Sequence, residues 1–370
     1  ADRQPEFTQL DMEMSFMEMD EILELMEGLI AYIFEGALGK KIATPFQRLT
    51  WDEAMDRYGS DKPDLRFGME LINMVDAVKD SDFKVFNQVI ENGGVVKAIN
   101  VKGYANIPRR ECDGLVDFVG IYGAKGLAWM QIQEDGSVKS PIAKFFSEAQ
   151  LANILATAQA EAGDLVMFIA DKPAVVAQAL GALRIEMAKR RNLIDNDALA
   201  FAWVVDFPMF EYDEEEKRYV AMHHPFTSPR DEDLELLATD PGKVYAKADD
   251  MVLNGTEIGG GSIRIHRRDV QKQIFSAIGL SDEEAQEKFG FMMNAFEYGA
   301  PPHGGLAFGL DRLIMIMAQR DSIRDVIAFP KTQSAACVMT QAPNDVDDKQ
   351  LRELHIRPSL ALKKEKEAGK

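Results

Sequence analysis

Two acidic residues flank a short sequence that is typical of a tight β-hairpin. Asn254-Gly255 is a strong signal for a two-residue turn between antiparallel strands. Such a turn predicts three cross-strand pairs: Leu253 with Thr256, Val252 with Glu257, and Asp250 with Gly259. Asp250 and Glu257 then lie diagonally on one face, within joint reach of a divalent cation. They could share Mg²⁺ with the oxygens of a triphosphate, or form an exposed acidic pair without a ligand.

A glycine-rich run follows this turn and ends in an arginine. Residues 259–264 read G-G-G-S-I-R, and three glycines let another backbone or a ligand approach closely. Strict alternation places Glu257 and Arg264 on opposite faces of the strand, whereas a glycine bulge would bring both to one face. An arginine on a buried sheet face needs a planar acid, which a substrate carboxylate or a structural Asp would supply.

Two further polar segments allow a functional and a structural interpretation. His223 and His224 begin the sequence H-H-P-F-T-S-P; adjacent residues of an extended chain point in opposite directions, so they are poor joint metal ligands. They either bind a polar substrate or pack beneath a proline-rich loop. Gln9, Asp11 and Glu13 share one face of a strand, and a solvated sheet face is the interpretation that this segment alone favours.

A second glycine-rich segment leads into a helix. Residues 304–312 read G-G-L-A-F-G-L-D-R, and the free N–H groups at a helix N-terminus attract anions. Arg312 lies in the first helical turn, where a cation is unfavourable unless it contacts a ligand such as phosphate. The segment matches neither the P-loop nor the dinucleotide-binding pattern.

The elements that position these residues form three regions. Residues 6–16 alternate polar and apolar side chains and predict a strand, and Asp20 is expected to precede an amphipathic helix. Residues 66–195 alternate strands and helices, which predicts a separate α+β module inserted between two other regions. From Ala200 onward, strands and long loops dominate, with an acidic hairpin tip at 211–217.

Composition limits the classes of function. The chain has 370 residues, of which 46% are hydrophobic and 28% charged, so disorder is excluded as the dominant state. A net charge of −19 means that any nucleic acid must be bound by a local patch. Two cysteines fit a reducing cytosol, and the sequence contains neither a membrane-spanning run nor a visible signal peptide.

Taken together, these segments resemble class II aminoacyl-tRNA synthetases, and most closely the bacterial aspartyl enzymes. R-Q-P-E-F-T-Q-L-D-M-E at 3–13 is similar to the second half of the family's motif 2. A-M-H-H-P-F-T-S-P, N-G-T-E-I-G-G-G-S-I-R-I-H and Y-G-A-P-P-H-G-G-L-A-F-G-L-D-R-L-I-M resemble its later active-site segments, the last containing motif 3. Residues 66–195 resemble the insert that bacterial aspartyl enzymes share with an amidotransferase subunit and that asparaginyl and lysyl relatives lack.

The resemblance implies an α+β fold, in which an antiparallel sheet flanked by helices is interrupted by the insert. It divides the chain into a first part of the catalytic core (1–65), the inserted domain (66–195), a second part of the core with motif 3 (196–350) and a C-terminal tail (351–370). It also implies a function: ATP-dependent activation of L-aspartate to aspartyl-adenylate and transfer to tRNA, by a cytoplasmic homodimer.

The resemblance also implies roles for individual residues. Phe7 and Arg312 would stack on the two sides of adenine, and Glu257 with Asp250 would hold Mg²⁺ on the triphosphate. The remaining ATP-binding residues would be Gln4, Gly309, Leu310 and Asp311. Arg264 would pair with the side-chain carboxylate of aspartate, and the rest of the amino-acid pocket would comprise His223, His224, Asp11 and Glu13, the last two near the ammonium group.

Parts of the family pattern do not occur in the chain. The anticodon-binding barrel, motif 1 and the first arginine of motif 2 are missing, and Ala1 falls within a predicted strand. We therefore expect the chain to be a fragment that does not aminoacylate tRNA by itself. Two other functions stay open: an adenylate-forming asparagine synthetase of the same fold, and a non-catalytic synthetase-like binding module. The sequence leaves open whether the asparagine tRNA is also a substrate and whether the insert contacts tRNA.

Overall fold

The computed structural model describes residues 3–358. The predicted strand start at Ala1 and the last part of the charged tail, residues 359–370, lie outside the described residues. The helices are α1 Met19–Leu38, α2 Trp51–Tyr58, α3 Val75–Val78, α4 Lys84–Glu91, α5 Arg109–Gly120, α6 Glu148–Thr157, α7 Pro173–Arg190, α8 Arg268–Ala277, α9 Asp282–Phe296, α10 Leu310–Met317 and α11 Asp348–Glu353. Short 3₁₀ helices lie at Ala143–Phe145, Asp231–Ala238, Pro241–Lys243 and Ile323–Asp325.

The strands form three sheets. They are β1 Gln9–Ser15, β2 Gln47–Thr50, β3 Ile72–Asn73, β4 Val95–Val101, β5 Ala128–Ile132, β6 Val138–Lys139, β7 Leu165–Asp171, β8 Phe201–Val205, β9 Phe210–Asp213, β10 Arg218–Ala221, β11 Ala248–Leu253, β12 Thr256–Ile263 and β13 His303–Gly309. The chain divides into two compact units, one of residues 1–9 with 309–370 and one of residues 10–308.

A six-stranded sheet carries most of the predicted site residues. Its strand order is β1-β13-β12-β11-β8-β2. The pairs of β12 with β13, β11 with β12 and β11 with β8 are antiparallel, whereas β2 joins β8 in parallel. The predicted α+β fold, an antiparallel sheet flanked by helices, is confirmed. β9 and β10 form a separate antiparallel hairpin around the predicted acidic tip.

The middle module, residues 72–190, contains a five-stranded sheet of order β3-β4-β7-β5-β6. Helices α5 and α7 cover one face through Leu115 and Leu180, and α4 and α6 cover the other through Phe86 and Ile154. Because both faces are covered, β4 and β7 are buried along almost their whole length rather than at alternate residues. The domain boundaries at 65/66 and 195/196 stay predictions.

The start of helix α1 differs from its predicted place. Helix α1 begins at Met19, so Asp20 lies inside its first turn and does not precede it; the backbone N–H of Glu18 donates to the Glu21 carboxylate and starts the helix earlier. Asp20 instead pairs with Arg48. Strand β3 ends at Asn73, whose side-chain oxygen accepts from the backbone N–H of Val75 and turns the chain into α3.

None of the described helices is long and apolar enough to cross a membrane.

A buried carboxylate joins α1 to the six-stranded sheet. Glu27 accepts hydrogen bonds from the Trp203 indole nitrogen at 2.9 Å and from the Phe46 backbone nitrogen at 3.1 Å. Both bonds are buried, so their loss leaves two donors without partners. We expect Glu27→Ala to lower the free energy of unfolding by roughly 2–4 kcal/mol, measured by urea denaturation with circular dichroism.

The control for this substitution lies on the same helix. Glu24 is exposed, so Glu24→Ala should change the free energy of unfolding by less than about 0.5 kcal/mol. Equal effects of the two substitutions would show that the Glu27 hydrogen bonds do not stabilise the fold.

Candidate active site

The hairpin of β11 and β12 presents the two predicted metal-binding carboxylates. The pairs Leu253 with Thr256 and Val252 with Glu257 are confirmed. The predicted pair of Asp250 with Gly259 is wrong, because Asp250 lies opposite Gly260. The register shifts between Met251 and Val252, so Ile258 on β12 is an extra residue opposite that step. The predicted bulge therefore exists, but one residue before the glycine run.

The carboxylates of Asp250 and Glu257 repel each other. Burial raises the pKa of Asp250 well above its usual range, and the Glu257 charge raises it further. A side chain at position 260 would collide with Asp250, since a Cβ there would lie 2.5 Å from Oδ1. A divalent cation would relieve the repulsion between these carboxylates, so the two residues fit a metal site that takes its other ligands from a bound molecule.

The two carboxylates by themselves would be an incomplete set of ligands for a metal ion. Within residues 3–358, no group of three or more His, Cys, Asp or Glu side chains is arranged to hold a metal ion.

Asp249, the neighbour of Asp250, is only 2% exposed, and burial raises its pKa to about 7. One of its carboxylate oxygens has no hydrogen-bond partner among the described residues.

Arg264 forms the polar centre of the amino-acid-binding half of the predicted site. Its side chain is 19% exposed and pairs with Glu13, with Nε 3.1 Å from Oε1. The guanidinium also contacts the Ser262 hydroxyl and lies 2.9 Å from Nε2 of His224. The predicted planar acid is thus present within the chain, but it is a glutamate that comes from β1 rather than an Asp.

His224 is held in its neutral form. Because a guanidinium can only donate, Nε2 of His224 must accept from Arg264, which a protonated ring cannot do. Burial and the neighbouring positive charge of Arg264 lower the pKa of His224 to about 4. This ring therefore acts as a fixed hydrogen-bond acceptor at neutral pH.

His223 has different neighbours from His224, as the sequence predicts for adjacent residues. Its ring packs edge-on against Phe207, with centroids 4.6 Å apart. Desolvation by the surrounding protein lowers its pKa although the ring keeps an exposed face, and the charges of Glu257 and Asp61 partly offset this effect. The charges that act on His223 therefore include the carboxylate of Glu257, whereas His224 contacts Arg264.

The lowered pKa of His224 predicts a pH-dependent stability. An unfolded histidine binds a proton near pH 6.5, whereas the folded ring stays neutral down to about pH 4. Between these values the unfolded state binds more protons, so stability rises with pH. We expect the gain between pH 5 and pH 7 to be smaller by about 1 kcal/mol in His224→Gln, allowing for the partial exposure of the ring.

The measurement is urea denaturation of both proteins at each pH. Comparing the variant with the parent cancels the contributions of other groups, including Asp249, whose raised pKa acts in the opposite direction. The exposed His355 provides the control substitution His355→Gln. An unchanged pH dependence in His224→Gln would contradict the neutral, buried ring.

The remaining residues of the predicted amino-acid pocket lie on β1. Asp11 and Glu13 are both exposed on this strand. Glu13 reaches Arg264 although β13 lies between β1 and β12. Asp11 makes no contact that assigns it a role, and its place near a substrate ammonium stays a prediction.

The predicted nucleotide residues lie in the unit formed by residues 1–9 and 309–370. Phe7 is 61% exposed, as stacking on a base requires. Gln4 is 8% exposed, and its side-chain oxygen accepts from the backbone N–H of Lys331 at 2.8 Å. Arg312 lies in the first turn of α10, as predicted.

Two contacts attach the start of α10 to the N-terminal segment. The Asp311 carboxylate accepts from the backbone N–H of Thr8 at 2.8 Å, and the Leu310 N–H donates to the Thr8 oxygen at 3.0 Å. Asp311 therefore has a structural bond in addition to its predicted place beside a nucleotide. The segment 309–312 begins at Gly309, where β13 ends and α10 follows directly.

Comparison with known proteins identifies the family of the chain. The family model described as tRNA synthetases class II (D, K and N) matches residues 1–333. The chain belongs to this family.

Individual relatives of this class II synthetase chain are bacterial. It is 62% identical to the Aspartate--tRNA(Asp/Asn) ligase of Heliobacterium modesticaldum over 98% of its length, which covers 60% of that protein. It is 58% identical to the Aspartate--tRNA ligase of Ruminiclostridium cellulolyticum over 96% of its length, again covering 60%. The chain thus spans about 60% of the length of these curated relatives.

A solved structure also matches this class II synthetase chain. The aspartyl tRNA synthetase from Entamoeba histolytica is 17% identical, with a TM-score of 0.42, covering 91% of this chain and 45% of that one.

The sequence reasoning missed two charged residues of this class II synthetase chain. Asp61 raises the pKa of Asp250 and Lys62 lowers it, so both charges act on the carboxylate hairpin. They belong to the stretch G-S-D-K-P-D at residues 59–64. No local sequence pattern could have revealed the effect of Asp61 and Lys62 on Asp250. These residues lie some 190 positions before Asp250 along the chain, and only the packing of their loop brings their charges to act on it.

Proposed function

We propose that the full-length gene product is an aspartate–tRNA ligase, which activates L-aspartate with ATP and transfers it to the 3′ end of tRNA. The observation that carries this proposal is the guanidinium of Arg264, which Glu13, Ser262 and His224 hold on the face of the six-stranded sheet. Both curated relatives carry names of that activity.

Arg264 is proposed to bind the side-chain carboxylate of aspartate. Bidentate pairing with a carboxylate is the strongest contact that a guanidinium makes. Asparagine presents a neutral amide in the same place and would lack the charge-assisted pairing that an aspartate carboxylate makes, which disfavours that substrate. Neutral His224 would fix the orientation of the guanidinium, and Asp11 and Glu13 would lie near the substrate ammonium.

Asp250 and Glu257 are proposed to hold Mg²⁺ on the triphosphate of ATP. When bound, the metal neutralises charge on the phosphate oxygens and orients them for displacement. The two carboxylates would be its protein ligands, and their mutual repulsion favours occupation by a cation. Phe7 and Arg312 would stack on adenine, and Gln4 with the segment 309–312 would border the nucleotide.

The proposed reaction needs no covalent bond to the protein. A carboxylate oxygen of the substrate forms a bond to the α-phosphorus of ATP, while the bond from that phosphorus to the bridging oxygen breaks and pyrophosphate leaves. The terminal ribose hydroxyl of tRNA then attacks the acyl carbon, its proton is lost, and AMP leaves. The protein contributes by positioning the reactants and neutralising charge.

Aspartate-dependent exchange of pyrophosphate into ATP tests the first half of this proposal. The full-length gene product should catalyse the exchange with aspartate and show little with asparagine. Charging of purified aspartate and asparagine tRNAs then tests the transfer step and shows whether both tRNAs are substrates. Asparagine formation from ammonia would instead identify a synthetase of that amino acid, and failure to bind a non-hydrolysable aspartyl-adenylate analogue would identify a binding module.

We also propose that the full-length product is a homodimer of the cytoplasm, as the family resemblance implies. Sedimentation velocity of the full-length product would give its mass in solution. A monomer at micromolar concentration would contradict this part of the proposal and leave the activity unaffected.

A further inference from the structure

Helix α7 of the middle module binds the chain segment that leads into the module. Arg184 on α7 is 1% exposed, and burial lowers its pKa to about 10, so it stays charged at neutral pH. The guanidinium stacks on the rings of Phe67 and Tyr58. It donates to four backbone oxygens of the entering segment: Asp64 at 2.8 Å, and Phe67, Gly68 and Met69 at 3.0 Å each.

The same helix touches the connector loop, residues 59–64, backbone against backbone. Gly59 ends α2 with a φ of 68°. A Cβ at Gly181 would lie 2.7 Å from the Gly59 oxygen and 3.0 Å from the Tyr58 oxygen. A Cβ at Gly59 would lie 2.2 Å from the Ala177 oxygen. The paired glycines therefore set the distance between α7 and the loop, with no room for a methyl group between them.

The far end of the connector loop packs on the turn of the carboxylate hairpin. A Cβ at Gly255 would lie 3.0 Å from the Asp64 Cβ and 3.5 Å from its Cα. Asp64 is buried and paired with Arg66, so it cannot easily move away. Helix α7, the loop and the turn together line one cavity of about 410 Å³, whose walls include Lys62, Arg184 and Asn254.

The charges of the loop act on the carboxylates themselves. Asp61 raises the pKa of Asp250 and also acts on His223, whereas Lys62 lowers the pKa of Asp250. The loop is therefore part of the electrostatic environment of the hairpin as well as its mechanical support.

We propose that helix α7, through Gly181 and Arg184, holds the connector loop against the Asn254-Gly255 turn and thereby positions Asp250 and Glu257 for binding of the metal–ATP complex. The effect on binding of the metal–ATP complex rests on the proposed function, whereas the packing of α7, the loop and the turn does not. It assigns the middle module a role in activation of the amino acid, before any tRNA is bound. Arg184 and Gly181 are positioning residues, since neither contacts the reactants.

Two matched glycine substitutions on helices of the middle module test the proposal in the full-length gene product. Gly181→Ala inserts a methyl group between α7 and the loop, whereas Gly114→Ala on α5 places a methyl group where no atom lies within 4 Å. Pyrophosphate exchange without tRNA should show the KM for ATP raised about three- to tenfold in Gly181→Ala only, because small displacements in a site of this kind are costly. The KM for aspartate should stay unchanged.

Destabilisation of the module is controlled by a third substitution. Ile154 is fully buried in the core on the face of the sheet opposite α7, so Ile154→Ala weakens the module by roughly 2–5 kcal/mol without touching the loop. This variant should keep the parent KM for ATP under conditions where it is folded. An equal rise of the KM for ATP in Ile154→Ala would overturn the proposal, because any loss of stability would then produce the effect.

Hydrogen exchange supplies a readout that needs no activity. The amides of residues 60–64 and 254–257 should exchange faster in Gly181→Ala and in Arg184→Lys than in the parent, and Gly114→Ala should match the parent. Unchanged exchange at the turn in both variants would overturn the proposal, as would a change confined to the KM for tRNA. If the parent protein lacks pyrophosphate exchange, the proposed function fails, and the hydrogen-exchange result still decides this inference.

Discussion

Replacing Arg264 by lysine in the full-length gene product is expected to reduce kcat/KM for aspartate in pyrophosphate exchange on the order of a thousandfold. Nε and Nη2 of the guanidinium donate to Glu13, and Nη1 contacts both Ser262 and His224. A lysine ammonium is a single point of charge with three donors on one nitrogen, so it cannot reproduce the fork of contacts that orients the guanidinium or its planar pairing with a carboxylate. The KM for ATP should change far less than the KM for aspartate.

The control is Arg267, which lies three residues further along and is largely exposed in a pair with Asp269. Arg267→Lys should retain the parent kinetics. A near-parental kcat/KM for aspartate in Arg264→Lys would exclude Arg264 as the carboxylate-binding residue. A loss that falls equally on ATP and aspartate would point to general disruption of the sheet.

Glu257→Gln is expected to lower the rate of pyrophosphate exchange by about a hundredfold or more at millimolar Mg²⁺. The substitution keeps the shape of the side chain and removes one of the two negative charges that would face the metal. It also removes the charge that raises the pKa of Asp250, so that pKa should fall. Titrating the exchange rate against Mg²⁺ should show a higher metal requirement and partial recovery at high concentration.

Glu211 offers the matched control, since it is also a strand glutamate but lies exposed on β9 of the separate hairpin. Glu211→Gln should leave the rate and the metal requirement unchanged. If Glu257→Gln shows the parent's Mg²⁺ dependence at any rate of exchange, the proposed metal site must be abandoned.

Local signals predicted the hairpin that carries these carboxylates. Asn254-Gly255 specifies a two-residue turn, and the first two cross-strand pairs follow from it without tertiary information. The position of the bulge does not follow, because an extra residue at Ile258 depends on how β12 fits between β11 and β13. The third predicted pair was therefore displaced by one residue.

The sequence predicted that Arg264 requires an acidic partner, but it did not predict which residue is that partner. The sequence indicates that a buried-sheet arginine requires an acid, yet Glu13 is 251 positions away along the chain. Such a contact is set by the order of strands in the sheet, and no spacing rule reaches that far. The pairing order of the middle module's sheet was unpredictable for the same reason, although its alternating α+β character was evident.

The three tryptophans of the chain fall in three different elements: Trp51 at the start of α2, Trp129 in β5 and Trp203 in β8. The indole of Trp203 is bonded to a buried carboxylate, and that of Trp129 is enclosed in the core of the middle module. The emission of Trp203 therefore reports on the six-stranded sheet, and that of Trp129 reports on the five-stranded sheet of the middle module. Variants that retain a single tryptophan would distinguish, by fluorescence wavelength and lifetime, the loosening of the middle module from that of the six-stranded sheet.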